Sequence, residues 1–193
     1  ALNDLPSTGG EIVILDGTYN ITASIHIPKD NVSLRGNGNA TILKRMYNST
    51  YMNSGPTAKG LITLNEKSGC KIQNMQIDGN KAAYTRSYNY SIHLYSSSNN
   101  TITGNTCNNN SGNGIRFDSS NDNTITGNTC NNNSSNGIRF DSSSNDNTVT
   151  GNTCNNNNYS GIYLYSSSNN NIVTGNICKN NDYGIRLQAS SNN

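Results

Sequence analysis

The chain has 193 residues, of which 31% are hydrophobic and only 12% charged, with a formal net charge of +2 and no Trp. That is too little apolar material for an ordinary two-layer core, while the low charge and the strict recurrence of apolar positions argue against intrinsic disorder. No apolar run approaches the ~20 residues of a membrane-spanning helix, and the small basic excess is spread without clusters, which excludes nucleic acid as a partner.

In chain order, residues 1–80 hold short strand-forming runs broken by Gly, Asn and Pro: GGEIVILDGTYNI from Gly9, SIHIPKDNVSLRGN from Ser24 and ATILKR from Ala40. The segment KAAYTRSYNY, residues 81–90, breaks the spacing that follows and reads as a loop inserted between rungs. From Ser91 onward the sequence repeats. TITGNTCNNN starts at Thr101 and again at Thr124, TVTGNTCNNN at Thr148 and IVTGNICKNN at Ile172. Between them lie SIHLYSS, two copies of GIRFDSS, GIYLYSS and GIRLQAS, which put Ile92, Ile115, Ile138, Ile162 and Ile185 at steps of 23 or 24 residues.

Within GIRFD the period is two, with Ile and Phe on one face and Arg and Asp on the other. One coil cannot bury that apolar face alone, so coils must stack in register and bring like residues together about 4.8 Å apart. The expected fold is all-β: a right-handed single-stranded parallel β-helix, a solenoid with coils of 23 or 24 residues, in a single domain spanning 1–193. A leucine-rich horseshoe is excluded because neither its Leu consensus nor a helical segment is present. Inward columns are expected at Ile92/Ile115/Ile138/Ile162/Ile185, Leu94/Phe117/Phe140/Leu164/Leu187 and Ile102/Ile125/Val149/Val173. Asn105, Asn128, Asn152 and Asn176 read as an amide ladder at a turn, beside Gly104, Gly127, Gly151 and Gly175 at positive φ.

Residues Gly9 to Arg45 resemble the opening coils of the pectate-lyase-like superfamily. The later N-x-x-I-x-x-N-x-C rungs are similar to the repeats of that superfamily and of NosD-type surface and periplasmic proteins. The resemblance spans essentially the whole chain; it implies the fold and leaves the activity open, because that superfamily holds lyases, hydrolases, epimerases and non-enzymes. It further implies an amphipathic helix plugging the start, of which ALNDLPSTGG would be the tail. Both ends read as uncapped, which predicts a longer native protein or self-association through the open solenoid ends.

Cys107, Cys130, Cys154 and Cys178 form one inward column, expected as free thiols because in-register side chains point the same way. Four thiols in a line without His do not make a tetrahedral zinc site, so no metal and no cofactor is expected. Sequons at Asn20, Asn31, Asn39, Asn48, Asn89, Asn99, Asn109, Asn132 and Asn158, with the sparse charge and the resemblance, point to a secreted or cell-surface protein.

Candidate functional residues lie outward on the GIRFD strands, in the rows His93/Arg116/Arg139/Tyr163/Arg186 and Tyr95/Asp118/Asp141/Tyr165/Gln188. Tyr84, Arg86, Tyr88 and Tyr90 would join the top of these rows. Aromatic faces beside Arg and Asp suit a polysaccharide or cell-surface glycan. The bland alternative is exposed Arg/Asp pairing across coils, contributing about 0–1 kcal/mol and implying no ligand.

A lyase acting on an acidic polysaccharide would use Arg116 or Arg139 to neutralise a uronate and His93, Lys81 or Tyr90 as base. A glycosidase would need two carboxylates in different environments, which Asp118 and Asp141 do not offer. The Asp-Pro-His-Glu run of mannuronan epimerases is absent. The reading that results is a structural or glycan-binding module without catalysis. The polysaccharide-processing enzyme, the end-to-end fibre, and ice binding through the Thr101/Thr124/Thr148 column are the alternatives.

Overall fold

The computed structural model describes residues 1–49 and 59–193. The alternating runs become two parallel sheets around one narrow core. The first stacks Ile25–His26, Gly60–Asn65, Tyr90–Tyr95, Ile115–Asp118, Ile138–Asp141, Ser160–Tyr165 and Tyr183–Gln188, each strand paired to the next in chain order. The second runs from Gly10–Val13 through Val32–Arg45, Lys71–Asp78, Thr101–Thr103, Thr124–Thr126 and Thr148–Thr150 to Ile172–Thr174, with Gly17–Ile21 and Thr106–Asn108 paired at its side. The chain alternates between the sheets and never reverses, so it is a parallel β-helix, with the right hand that crossovers between parallel strands adopt.

Register follows the repeat. Ile92 pairs with Ile115, Ile115 with Ile138, Ile138 with Ile162 and Ile162 with Ile185. Leu94, Phe117, Phe140, Leu164 and Leu187 pair likewise, and the rings of Phe117 and Phe140 stack 4.6 Å apart at 8°. Ile185 and Leu187 are about half exposed, and the other members of these two columns are fully buried; each buried one contributes about 1.5–3 kcal/mol, and a one-residue column suffices because the coil above and the coil below cover it. Upstream the coils lengthen: Gly60 pairs with Tyr90, a step of 30 residues, and the additional residues lie before Tyr90. Tyr90 itself is not in the loop. It opens the strand Tyr90–Tyr95 because its N–H bonds to the Lys59 carbonyl.

The second sheet bends at each TGN. Gly104, Gly127, Gly151 and Gly175 hold φ between 62° and 64°, a region open to Gly without a Cβ penalty. The neighbouring Asn105 column does not share that conformation. Its amides act instead along the axis: Asn105 Nδ2 donates to Asn128 Oδ1, Asn128 Nδ2 to Asn152 Oδ1 and Asn152 Nδ2 to Asn176 Oδ1. Two further columns do the same, Asn100/Asn123/Asn147/Asn171/Asn193 and Asn110/Asn133/Asn157/Asn181. All these amide–amide bonds span 2.8–3.2 Å.

All five cysteines are free thiols, and Cys107, Cys130 and Cys154 are fully buried. Burial pushes the Cys130 thiol well above its ordinary range. Glycines of the first sheet make room for this column: a Cβ on Gly161, in GIYLY, would come within 2.6 Å of Cys178 Sγ, and one on Gly137, in GIRFD, within 2.9 Å of the Cys154 Cβ. At the start of the chain, the expected helix tail is one 3-10 turn, Leu2–Asp4, and Leu2 and Leu5 pack against the core. Among the described residues no helix is long and apolar enough to cross a membrane.

Candidate functional site

Because Ile and Phe of each GIRFD copy point inward, the residues between them form the outer face of the first sheet. Parallel pairing sets His93 beside Arg116, Arg116 beside Arg139, Arg139 beside Tyr163 and Tyr163 beside Arg186. In the adjacent row Tyr95 pairs with Asp118, Asp118 with Asp141, and Tyr165 with Gln188.

The upper part of this face differs from the expected solvent-exposed ladder. His93 is 1% exposed, Tyr90 2%, Asp118 8% and Asp141 7%. His93 Nε2 donates to Asp118 Oδ2 at 2.8 Å. Arg116 grips the same carboxylate through Nε, at 2.9 Å and 3.1 Å, and through Nη2 at 2.7 Å. Arg116 Nη2 also reaches Asp141 on the next coil at 3.1 Å, where Arg139 donates from Nε and Nη2. Tyr90 covers one side, its ring edge-on to His93 at 5.7 Å and under the Arg116 guanidinium at 5.6 Å.

These pairs are therefore not the weak exposed kind. Removing one partner of a buried, hydrogen-bonded pair leaves an uncompensated charge and costs about 3–5 kcal/mol. The electrostatics follow from the geometry. Burial depresses the His93 pKa and outweighs the pull of Asp118, which leaves the imidazole neutral with its proton on Nε2. Burial alone would raise Asp118, yet the bonds from His93 and Arg116 hold it well below the usual carboxylate range. Arg116 is desolvated too, and Asp118 more than restores its charged form. His93 Nδ1 is buried without a hydrogen-bond partner.

In the lower part of the face Tyr183 and Gln188 are exposed and Arg186 partly so, while Tyr163 is buried. Tyr163 lies between two guanidinium groups, Arg139 and Arg186, each 5.1 Å from its ring centre. Its hydroxyl donates to Gln188 Oε1 at 2.6 Å, and Arg186 Nη2 donates to the same oxygen at 3.0 Å. Arg139 also lies over Tyr165, and Arg186 over Tyr183. Beside them opens a cleft of about 290 Å³.

Of the loop residues expected here, Tyr90 joins the face directly, and Tyr88 approaches it through Lys59, whose ammonium lies 5.5 Å from the Tyr88 ring. The backbone carbonyls of Tyr84 and Arg86 accept from Ser111 Oγ, which anchors the loop to the following coil rather than to the ladder. Lys59 went unrecognised in the sequence because it lies outside the repeat; burial and the Arg116 charge both lower its pKa. Tyr159 and Ser160, which line the cleft, were also missed, since they break the Ser135–Asn136 pattern at equivalent positions. On the other sheet Thr101, Thr124 and Thr148 pair in register, and Ile172 ends the column, 59% exposed. The sequon residue Asn89 is fully buried, donating to Asn48 and to the Tyr84 carbonyl.

No curated protein matches the sequence. Among solved structures, the Azotobacter vinelandii mannuronan C-5 epimerase AlgE4 A-module superposes with a TM-score of 0.77 at 19% identity, over 92% of this chain and 50% of that one. The catalytic domain of a GH87 alpha-1,3-glucanase in complex with tetrasaccharides gives 0.68 at 17%, over 93% and 34%. The periplasmic alginate epimerase AlgG gives 0.59 at 14%, over 94% and 50%. These likenesses establish the fold, and the chain spans half or less of each of those structures.

Residues 16–193 match the family model described as "Periplasmic copper-binding protein (NosD)". The residues present do not fit a copper centre. Among the described residues no three His, Cys, Asp or Glu converge on a point where a metal could sit. His93 commits Nε2 to Asp118, and the thiols run in a line along the axis, so donors for a copper ion are not brought together among the described residues. The match covers the repeats themselves, and its description agrees with a location beyond the cytoplasm. The chain belongs to the NosD family of periplasmic β-helix proteins.

Proposed function

We propose that the chain is a glycan-binding β-helix module that holds a polysaccharide along the outer face of its first sheet without cleaving it. One observation carries this reading: Arg139 and Arg186 bracket the Tyr163 ring at equal distances, on a rigid face that continues through Tyr165, Gln188 and Tyr95. The exposed rings of Tyr95 and Tyr159 offer apolar faces to pyranoses, and the guanidinium groups that flank the buried Tyr163 ring offer donors to their oxygens. A stacked sheet holds these groups at fixed spacing, so little ordering cost is left for binding. The groups suited to acid–base chemistry are otherwise engaged. Asp118 and Asp141 are saturated by Arg116 and Arg139, and His93 is enclosed.

Affinity electrophoresis through gels containing neutral and acidic polysaccharides tests this. Retardation by at least one polymer, lost in the double variant Tyr163→Ala/Arg139→Gln, is the expected result; unaltered mobility in every gel would sink the reading.

A second reading, a lyase-like enzyme on an acidic polysaccharide, is favoured by the unpartnered Nδ1 of His93 beside Tyr90 and Arg116. It predicts unsaturated product absorbing in the ultraviolet when the protein is incubated with polyuronates, abolished by His93→Gln. The binding reading predicts none.

A further inference from the structure

Beside Tyr163 the outer face carries a built recess. Ser135, Asn136, Arg139, Tyr159, Ser160 and Arg186 line it together with Tyr163. Its volume of about 290 Å³ lies at the lower limit of small-ligand pockets, about 300 Å³, so it suits one ring of a chain rather than several.

Three features give this recess a chemical preference. First, its charge is unbalanced. Asp141 serves Arg116 and Arg139 together, Asp118 is taken by His93 and Arg116, and Arg186 has only the neutral Gln188 as its side-chain acceptor. Three guanidinium groups therefore face two carboxylates, which leaves one positive charge at the Arg186 end. Second, Tyr159 is 56% exposed at the rim, a flat ring open on the solvent side. Third, the hydroxyl of Ser160 is buried without a hydrogen-bond partner. A buried polar group left unpaired costs about 1–3 kcal/mol, and in a recess such a group marks a position where a ligand atom completes the bonding. Asn136, the equivalent residue one coil earlier, is by contrast fully engaged, with Nδ2 on Asn113 and Ser135 and Oδ1 on the Ser160 N–H.

We infer that this recess is the subsite for a single uronic acid residue of the bound polysaccharide. The carboxylate lies against the Arg186 guanidinium with Arg139 behind it, the C–H face of the ring covers Tyr159, and a ring hydroxyl bonds to Ser160 Oγ. The inference rests on the glycan-binding reading and adds to it the charge of the sugar and the coil that reads it.

The test measures polygalacturonate binding by affinity electrophoresis in the 193-residue chain, with fully methyl-esterified polygalacturonate, heparin and dextran as companion polymers. Polygalacturonate is expected to bind and its methyl ester to bind at least about tenfold more weakly, since a charge-assisted bond is lost. Arg186→Gln and Tyr159→Ala are each expected to weaken polygalacturonate binding about tenfold. Ser160→Ala is expected to weaken it about fivefold without lowering the urea midpoint, which a merely structural serine would not do.

Wild-type binding to polygalacturonate by all three variants would overturn the subsite and leave the wider face standing. Preference for dextran or for the methyl ester would overturn the acidic assignment, and preference for heparin would reassign the anion to sulfate. Absence of binding to any polymer would remove both this inference and the reading beneath it.

Discussion

His93 is neutral in the folded protein because it is enclosed, and Asp118 is ionised because His93 and Arg116 hold it. Both shifts act on stability in the same direction. A His whose folded pKa lies below its unfolded value of about 6.5 binds its proton more readily when unfolded, so stability is full above that pH and falls as pH drops through it. A depressed Asp adds a second loss beginning near its unfolded pKa of about 3.9. The thermal midpoint should therefore decline between pH 7 and pH 5 and again below pH 4. His93→Gln, which keeps a donor for Asp118, should flatten the upper limb and spare the lower; an unchanged upper limb would show that His93 is not its source. Asp118→Ala should lower stability in urea by about 3–5 kcal/mol, against less than about 1 kcal/mol for Arg35→Ala at the exposed Arg35–Glu11 pair. The identities and rows of these residues were legible from the repeat, but their burial was not. Enclosure depends on Lys59, Tyr88 and Tyr90, which belong to no repeat and whose approach only the fold defines.

At the scale of the elements, columns matter more than strands. Asn128 Oδ1 accepts from both the backbone N–H and Nδ2 of Asn105, while its own Nδ2 donates to the Ile102 carbonyl and to Asn152 Oδ1. Deleting that amide strands buried groups on the coils on either side of it, since water cannot reach them. Asn128→Ala should therefore cost about 3 kcal/mol or more in urea unfolding, being several times the ~1 kcal/mol of one ordinary hydrogen bond. Asn176→Ala, at the part-exposed end of the same column, should cost about 1 kcal/mol; equal losses would mean that the amides do not act as a cooperative column. The register of the strands was legible because a period of 23 or 24 residues permits one alignment of Ile on Ile and Phe on Phe. The second and third Asn columns were less so, because in an Asn-rich chain composition hides which copies face inward. The glycine of GIRFD was silent as well, as its role beside the cysteine column appears only when two coils lie face to face.

For the whole molecule, coils that touch only their neighbours make stability a sum of local terms along one axis. Ile185, Leu187 and Tyr183 in the last coil are each about half exposed, whereas their counterparts Ile138 and Phe140 are fully covered. In the 193-residue chain opening should begin there and move towards the N-terminal coils, as the least-covered coil has the smallest cost to release. The cysteine column supplies one reporter per coil, with Cys178 partly exposed and Cys154, Cys130 and Cys107 buried in sequence above it. A thiol reagent applied under native conditions, with peptide mass spectrometry at intervals, should therefore modify Cys178 first, Cys154 next and Cys107 last. Cys107 should follow the global unfolding free energy in its urea dependence, and Cys178 should show almost no such dependence. Simultaneous modification of all four would mean that the coils open as one unit, with the amide columns coupling them more tightly than nearest-neighbour contacts do.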